Sequence, residues 1–201
     1  MSNKTLTICL VSFLALMMAY IYVGYKFYET GKTLFEETYE LHDKAINLNH
    51  AVFEEKLYIA KLGYSFIDNE PTKEKYDKCI VKIDSIVWLI HNNVRYNNIG
   101  ADIEKADKHF TFYKNCFKFY PNTESSPRYY EYYNNVITFA KEEYATYLKF
   151  ESECHLLFRK YTMDWIDEYN KQQKADLEVE KAKANLQKEV EKMRTLQKTN
   201  Q

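Results

Sequence analysis

Glu55 and Glu143 stand where an apolar repeat calls for a hydrophobic residue. Glu55 sits between Val52 and Ile59, and Glu143 between Ala140 and Tyr147. A helical face with that spacing turns inward, and an inward carboxylate needs a partner or a raised pKa. Arg95 and nearby lysines are the candidate partners. Two interior acids are also the start of a di-metal carboxylate site, but helices build that site with Glu-x-x-His, and the sequence has no such motif. The expectation is therefore edge positions or one structural ion pair, with no metal. The five histidines, His42, His50, His91, His109 and His155, show neither HxxxH nor HExxH spacing. Cys154 and His155 are adjacent, so on a helix their side chains diverge by about 100° and chelate poorly. Cys-His nucleophilic catalysis also needs an orienting third group, and nothing marks one. No GxGxxG or GxxxxGK[ST] occurs. The expectation is a non-catalytic protein with no catalytic residues, metal or cofactor.

The elements that carry these residues are legible from scarcity. The 201 residues include only 4 Gly and 3 Pro against 19 Tyr and 12 Phe. So few turn residues exclude a sandwich or barrel and predict long helices. The net charge is −1, and the lysines are interleaved with acids. Only 4 of the 28 basic residues are Arg, the side chain suited to bidentate phosphate contacts. Nucleic acid is excluded as a partner on those grounds.

Residues 5–25, TLTICLVSFLALMMAYIYVGY, carry no charge and reach the roughly 20 residues a membrane span needs. Tyr20, Tyr22, Tyr25, Phe27 and Tyr28 follow as an interfacial aromatic group. The expectation is a four-residue tail (1–4) and an uncleaved anchor in the lipid bilayer. A signal peptide has a shorter apolar core and a small-x-small cleavage site; Ala15 and Ala19 are four apart. With Ser12, they form a small-residue face for helix pairing. A short N-terminal tail favours export of the larger part, so the bulk is expected to be periplasmic. The three cysteines beyond the span, Cys79, Cys116 and Cys154, are an odd number for an oxidising compartment and read better as buried thiols.

Residues 26–169 show four stretches of 3-4 apolar spacing. They run from Leu41 to Phe66, Tyr76 to Val94, Ile103 to Tyr120, and Tyr133 to Tyr161. Breaks fall at DNEP (68–71), NNIG (97–100) and PNTESSP (121–127). The seam spacing and short connections predict an all-α fold, an antiparallel four-helix bundle. On that topology the fourth helix returns toward the membrane, which would make Tyr161, Trp165, Ile166 and Tyr169 an interfacial patch. Tyr129, Tyr130, Tyr132 and Tyr133 are four tyrosines within five residues. They cannot all face one core, so they are a candidate interaction surface.

All aromatic residues precede Asn170. Residues 170–201 are a charged helical tail with a thin apolar stripe that includes Leu186, Val190 and Met193, suited to a solvated extension, a coiled coil or a partner. An anchor followed by a four-helix bundle over residues 5–165 resembles the periplasmic part of bacterial chemoreceptors. The likeness is one of architecture, with no shared motif, and the receptors' second span and cytoplasmic signalling segments do not occur in these residues. It implies a sensor or ligand-binding module. The primary expectation remains an anchored helical protein acting through protein–protein contacts, including self-association through the tail, as an envelope assembly, accessory or exclusion-type factor.

Overall fold

The computed structural model describes residues 3–118 and 126–199. Phe119, Tyr120 and residues 121–125 of the PNTESSP connection lie outside the described residues, as does the side chain of Leu196. The described residues form four helices and no strand: α1 (Asn3–Asp68), α2 (Lys73–His91), α3 (Ile99–Phe117) and α4 (Ser126–Thr199). α1 contains 66 residues and α4 contains 74, roughly 100 and 110 Å of helix at 1.5 Å per residue. No breaker interrupts α4 after Pro127, as its sequence requires. α1 is long and apolar enough near its start to cross a membrane, and its apolar window is wholly unburied.

The chain divides into two compact units, Met1–Lys56 with Asp84–Glu153, and Leu57–Ile83 with Cys154–Gln201. This division differs from the expected anchor, bundle and tail, because it cuts across α1, α2 and α4 rather than between helices.

In the first unit the core is built from Leu34, Leu41, Ala45, Leu48 and Val52 of α1, Ile103, Ala106, Phe110 and Tyr113 of α3, and Tyr133, Val136, Ala140, Tyr147 and Phe150 of α4. Thr38 is fully buried between them, and its hydroxyl donates to the Leu34 carbonyl at 2.7 Å, so no polar group is stranded. Polar contacts fix the helix directions. Glu37 meets His109 at 2.7 Å and Lys105 at 3.1 Å, and Lys44 meets Asp102 at 2.5 Å. Residue numbers rise along α1 as they fall along α3, so that pair is antiparallel. Tyr133 Oη donates to the Gly31 carbonyl at 3.0 Å, the His42 ring lies 5.8 Å from Phe139, and Asn49 donates to Glu143 at 2.5 Å. Here both numbers rise together, so α1 and α4 are parallel.

An alternating four-helix bundle requires the reverse on both counts: α1 parallel to α3 and antiparallel to α4. The reason for the difference is the α2–α3 link. Asn93 N–H bonds to Ile90 O, Tyr96 and Asn97 N–H to Asn93 O, and Ile99 N–H to Tyr96 O. These are short-range turns of helical type. They leave only Asn98 in the left-handed region, at φ 60°, as the residue that opens α3. The reversal expected at Asn97–Gly100 does not occur. Val94, expected on the second seam, lies in this link and is 82% exposed.

The second unit is organised by aromatic rings. Trp165 of α4 lies 4.9 Å from Phe66 of α1 and 5.5 Å from Tyr76 of α2, and Phe158 joins both at 6.1 and 5.4 Å. Tyr161 packs on Tyr64 at 5.1 Å. The pairs 64 with 161 and 66 with 165 again make α1 and α4 parallel. The buried face of α4 follows steps of four, Phe150, Cys154, Phe158 and Thr162, rather than continuing to Leu157 and Tyr161. A straight helix of 3.6 residues per turn drifts off a strict 3-4 seam.

The first unit thus packs segments of α1 and α4 with α3 and the end of α2 (Asp84–His91), and the second packs segments of α1, α2 and α4. The α1–α4 approach in the second unit is set by Gly63, where a Cβ would stand 2.6 Å from the Tyr161 Cβ. At Gly31 the nearest obstacle is the edge of the Tyr113 ring at 3.2 Å, which can turn aside. Gly63→Ala is therefore expected to destabilise the protein by about 1–3 kcal/mol through overpacking, despite the better helix propensity of Ala. Gly31→Ala should be close to neutral. Thermal melts of the full chain in detergent, followed by circular dichroism, check this; equal effects at the two sites would contradict it.

Candidate functional sites

The two seam acids do not meet Arg95. Glu143 is half-buried and takes its hydrogen bond from Asn49. Glu55 and Arg95 line one shallow hollow beside Tyr96, but among the described residues no ion pair joins them, and Arg95 is exposed. Burial, then the adjacent Glu54 carboxylate, pushes the Glu55 carboxyl above its ordinary pKa. The enclosed ion-pair cluster is elsewhere: Glu37, with 14% of its side chain exposed, against Lys105 and His109. Glu37 sits beside the seam position held by Thr38, a flank that the apolar repeat did not single out. Among the described residues no group of three or more His, Cys, Asp or Glu could hold a metal ion. Cys79, Cys116 and Cys154 are buried thiols, and burial raises the pKa of Cys79 and Cys116.

The tyrosine cluster is mostly internal. Tyr133 is buried, and that burial pushes its phenol well above the ordinary range. Tyr130 packs on Phe110 at 5.2 Å and Phe117 at 5.4 Å, and Tyr132 lies 6.2 Å from Phe35. Tyr129 alone of the four is classed as exposed, at 44%. Tyr130, Tyr132 and Tyr133 are absorbed because they face two helices, α1 and α3, rather than one. Tyr133 is bonded at Gly31, roughly 9 Å of helix beyond Tyr25.

The expected interfacial patch lies within the second unit, where Tyr161 packs against Gly63 of α1. Tyr161, Trp165, Ile166 and Tyr169 are each half-buried. Trp165 stacks on Tyr169 at 5.2 Å as well as on Tyr76, so these rings serve the core of the second unit.

Two predicted surfaces are open. Ser12, Ala15 and Ala19 are exposed along the apolar start of α1. In the tail every residue from 170 to 189 is exposed, Val190 is half-buried, and Leu186 and Met193 are 63% and 59% exposed.

The first unit also holds a cleft of about 410 Å³ that no sequence motif marks. The α2–α3 link forms one wall, with His91 and Tyr96, and α4 the other, with Tyr144, Tyr147 and Glu151. Gly100 opens it, since a Cβ there would lie 3.0 Å from Tyr144 Oη. The Tyr144 and Tyr147 rings stack at 6.2 Å, and His91 Nδ1 lies 3.3 Å from Tyr147 Oη. Burial, and then the neighbouring Glu151 carboxylate, pushes the Tyr147 phenol up to about 12. The i, i+3 and i, i+4 spacing of 144, 147 and 151 is the available sequence signal, but it also fits an ordinary helix face.

Glu55 yields a pH test. Its folded-state pKa lies above its unfolded value, so the fold binds this proton more tightly. That contribution is fully present below the ordinary carboxylate range and is lost as pH rises through the raised folded pKa. Glu55→Gln is expected to melt modestly higher than the parent at about pH 7, with the gap closing at about pH 4; the effect is modest because solvent reaches the group. A gap that widens on acidification would contradict the assignment. Comparison with protein-family profiles, with curated proteins and with solved structures finds no match to this chain.

Proposed function

We propose that the chain is a single-pass, membrane-anchored helical protein, non-catalytic, that acts through protein–protein contact, with its larger part on the periplasmic side. The anchor is the apolar start of α1. Buried thiols need no disulfide partner, which removes the cysteine-count argument against export. The reading fits an envelope assembly, accessory or exclusion-type role.

The observation that carries it is the tail: a helical stretch of described residues, 170–189, with every residue exposed. Helices in proteins draw most of their stability from packing an apolar face, and this one carries such a face unused. Val179, Leu186 and Met193 recur every seven residues, with Ala175, Ala182 and Glu189 at the alternating seam positions. In a parallel pair of such helices, Glu178 would face Lys183 of the second copy, and Lys171 would face Asp176. Anchors inserted in one membrane with one orientation favour that parallel arrangement.

Leu186→Cys is expected to cross-link to itself in membranes under mild oxidation, whereas Gln187→Cys, pointing away from the stripe, should cross-link far less. Leu186→Glu with Met193→Glu should convert a detergent-solubilised dimer to monomer without lowering the melting temperature. A monomeric parent chain, or equal cross-linking at the two positions, would overturn self-association.

A second reading, a ligand-binding sensor, is favoured by the cleft, which brings several polar side chains together in a volume typical of small-molecule sites. Its test is any saturable small-molecule binding that alters with substitution of the cleft wall.

A further inference from the structure

The cleft between the α2–α3 link and α4 has a definite chemical character. Of the described residues that line it, Glu151 is the one acid, and none is Lys or Arg. Its aromatic lining is Tyr96, Tyr144 and Tyr147, with the imidazole of His91 beside them. Tyr144 and Tyr147 are stacked as a pair, and Tyr96 is 7% exposed. Electron-rich ring faces around a single carboxylate attract a cation whose hydration shell is weak enough to shed. A strongly hydrated metal ion would instead require several oxygen ligands, and the described residues hold no group of three candidate ligands.

The remaining wall supplies donors. α3 begins at the cleft, with Asn98, Ile99, Gly100 and Ala101 all lining it. The side chain of Asn98 makes no capping hydrogen bond. The Ile99 N–H is taken by the Tyr96 carbonyl at 3.3 Å, and the N–H groups of the next residues, which have no partner within the helix, are the donors this wall offers to an oxygen on a ligand. Gly100 keeps this corner open, because a Cβ there would press on Tyr144 Oη at 3.0 Å. A residue with poor helix propensity occupies the first turn of α3, and the structure gives it a steric reason.

We infer that this cleft binds a small organic ammonium ion that also carries a hydroxyl or carbonyl oxygen, with the cationic head against Glu151 and the tyrosine faces and the oxygen at the first turn of α3. This rests on the ligand-binding reading and gives it a chemical class. The Tyr147 phenol, kept protonated by its burial, hydrogen-bonds to the Glu151 carboxylate, which is the one acidic group among the described lining residues. The His91 contact at 3.3 Å holds the phenol in place.

The experiment is calorimetric titration of the full chain in detergent with choline and with 3,3-dimethylbutan-1-ol, the neutral compound of the same shape. Acetate serves as the anionic control. Choline is expected to bind saturably and at least about tenfold more tightly than the neutral isostere, the range of a desolvated cation–aromatic contact. Glu151→Gln should abolish that preference, and Tyr144→Leu should weaken choline binding at least about fivefold. Gly100→Ala should do the same by crowding Tyr144. Circular dichroism melts establish that each variant is folded, and Lys188→Gln in the exposed tail should leave binding unchanged.

Equal binding of the two isosteres, or undiminished preference in Glu151→Gln, would overturn the cationic class while leaving a ligand site in place. No binding of any of the three probes would overturn the inference. Ligand binding as a function fails separately, if a mixed metabolite library also produces no melting shift that Tyr144→Leu removes.

Discussion

The parallel contact between α1 and α4 is the constraint on which the other arrangements depend. Two helices of 66 and 74 residues cannot change direction without a breaker, and neither contains an interior proline. Within the first unit, once Tyr133 is bonded at Gly31, the direction of α4 lets Asn49 meet Glu143; within the second, Tyr161 meets Gly63. In the first unit the antiparallel partner of α1 is α3, while α2 is shared, with Asp84–His91 in the first unit and its earlier residues in the second. Their division into two 19-residue helices makes room for a link, and the link makes room for the cleft.

The same constraint explains the distribution of aromatic residues. Where α4 begins, Phe27, Phe110, Phe117 and Tyr113 surround its tyrosines; Phe27 stacks on Tyr113 at 4.6 Å and Tyr113 meets Tyr133 at 5.4 Å. In the second unit Phe66, Tyr76, Phe158 and Trp165 form another cluster. Rings bury large areas and tolerate offset or edge-on contacts, so they can fill the space between three helices whose seams drift relative to one another. Small β-branched residues would demand a stricter register. Beyond Tyr169 the sequence has no such filler, and the described tail residues up to 189 are all exposed.

Much of this was legible in the amino-acid sequence. The apolar start, the lack of breakers after Pro127 and the boundary at Asn170 each follow from composition alone. The buried faces of α1 and α3 follow the 3-4 repeat closely, with Leu41, Ala45, Leu48, Val52, Ile59 and Phe66 buried or nearly so on α1. Topology was not legible, because Asn97–Gly100 has the composition of a reversal but folds as helical turns. A left-handed Asn98 is compatible with either outcome, and the deciding hydrogen bonds from Asn93 and Tyr96 are backbone bonds with no side-chain signature. Glu55 and Glu143 are both half-buried, and what each meets depends on which helix lies opposite, as Asn49 does for Glu143. The cleft was invisible for the same reason: His91, Tyr96 and Glu151 are unremarkable on their own helices and acquire meaning only when the link and α4 face each other.

The weakness of the tail stripe is informative when considered with the anchor. Alanine at 175 and 182 and Glu189 at the next equivalent position make a poor seam, one that would be marginal for two helices meeting freely in solution. Anchored chains do not meet freely. Insertion in one membrane removes one translational dimension and aligns the helices, so the orientational part of the association entropy is largely supplied before contact. A strong leucine seam would then hold every pair of copies together regardless of their abundance. In the proposed self-association, a weak seam with the complementary charges of Glu178, Lys183, Lys171 and Asp176 would make pairing depend on how densely the protein populates the membrane, and on ionic strength through the screening of those exposed pairs.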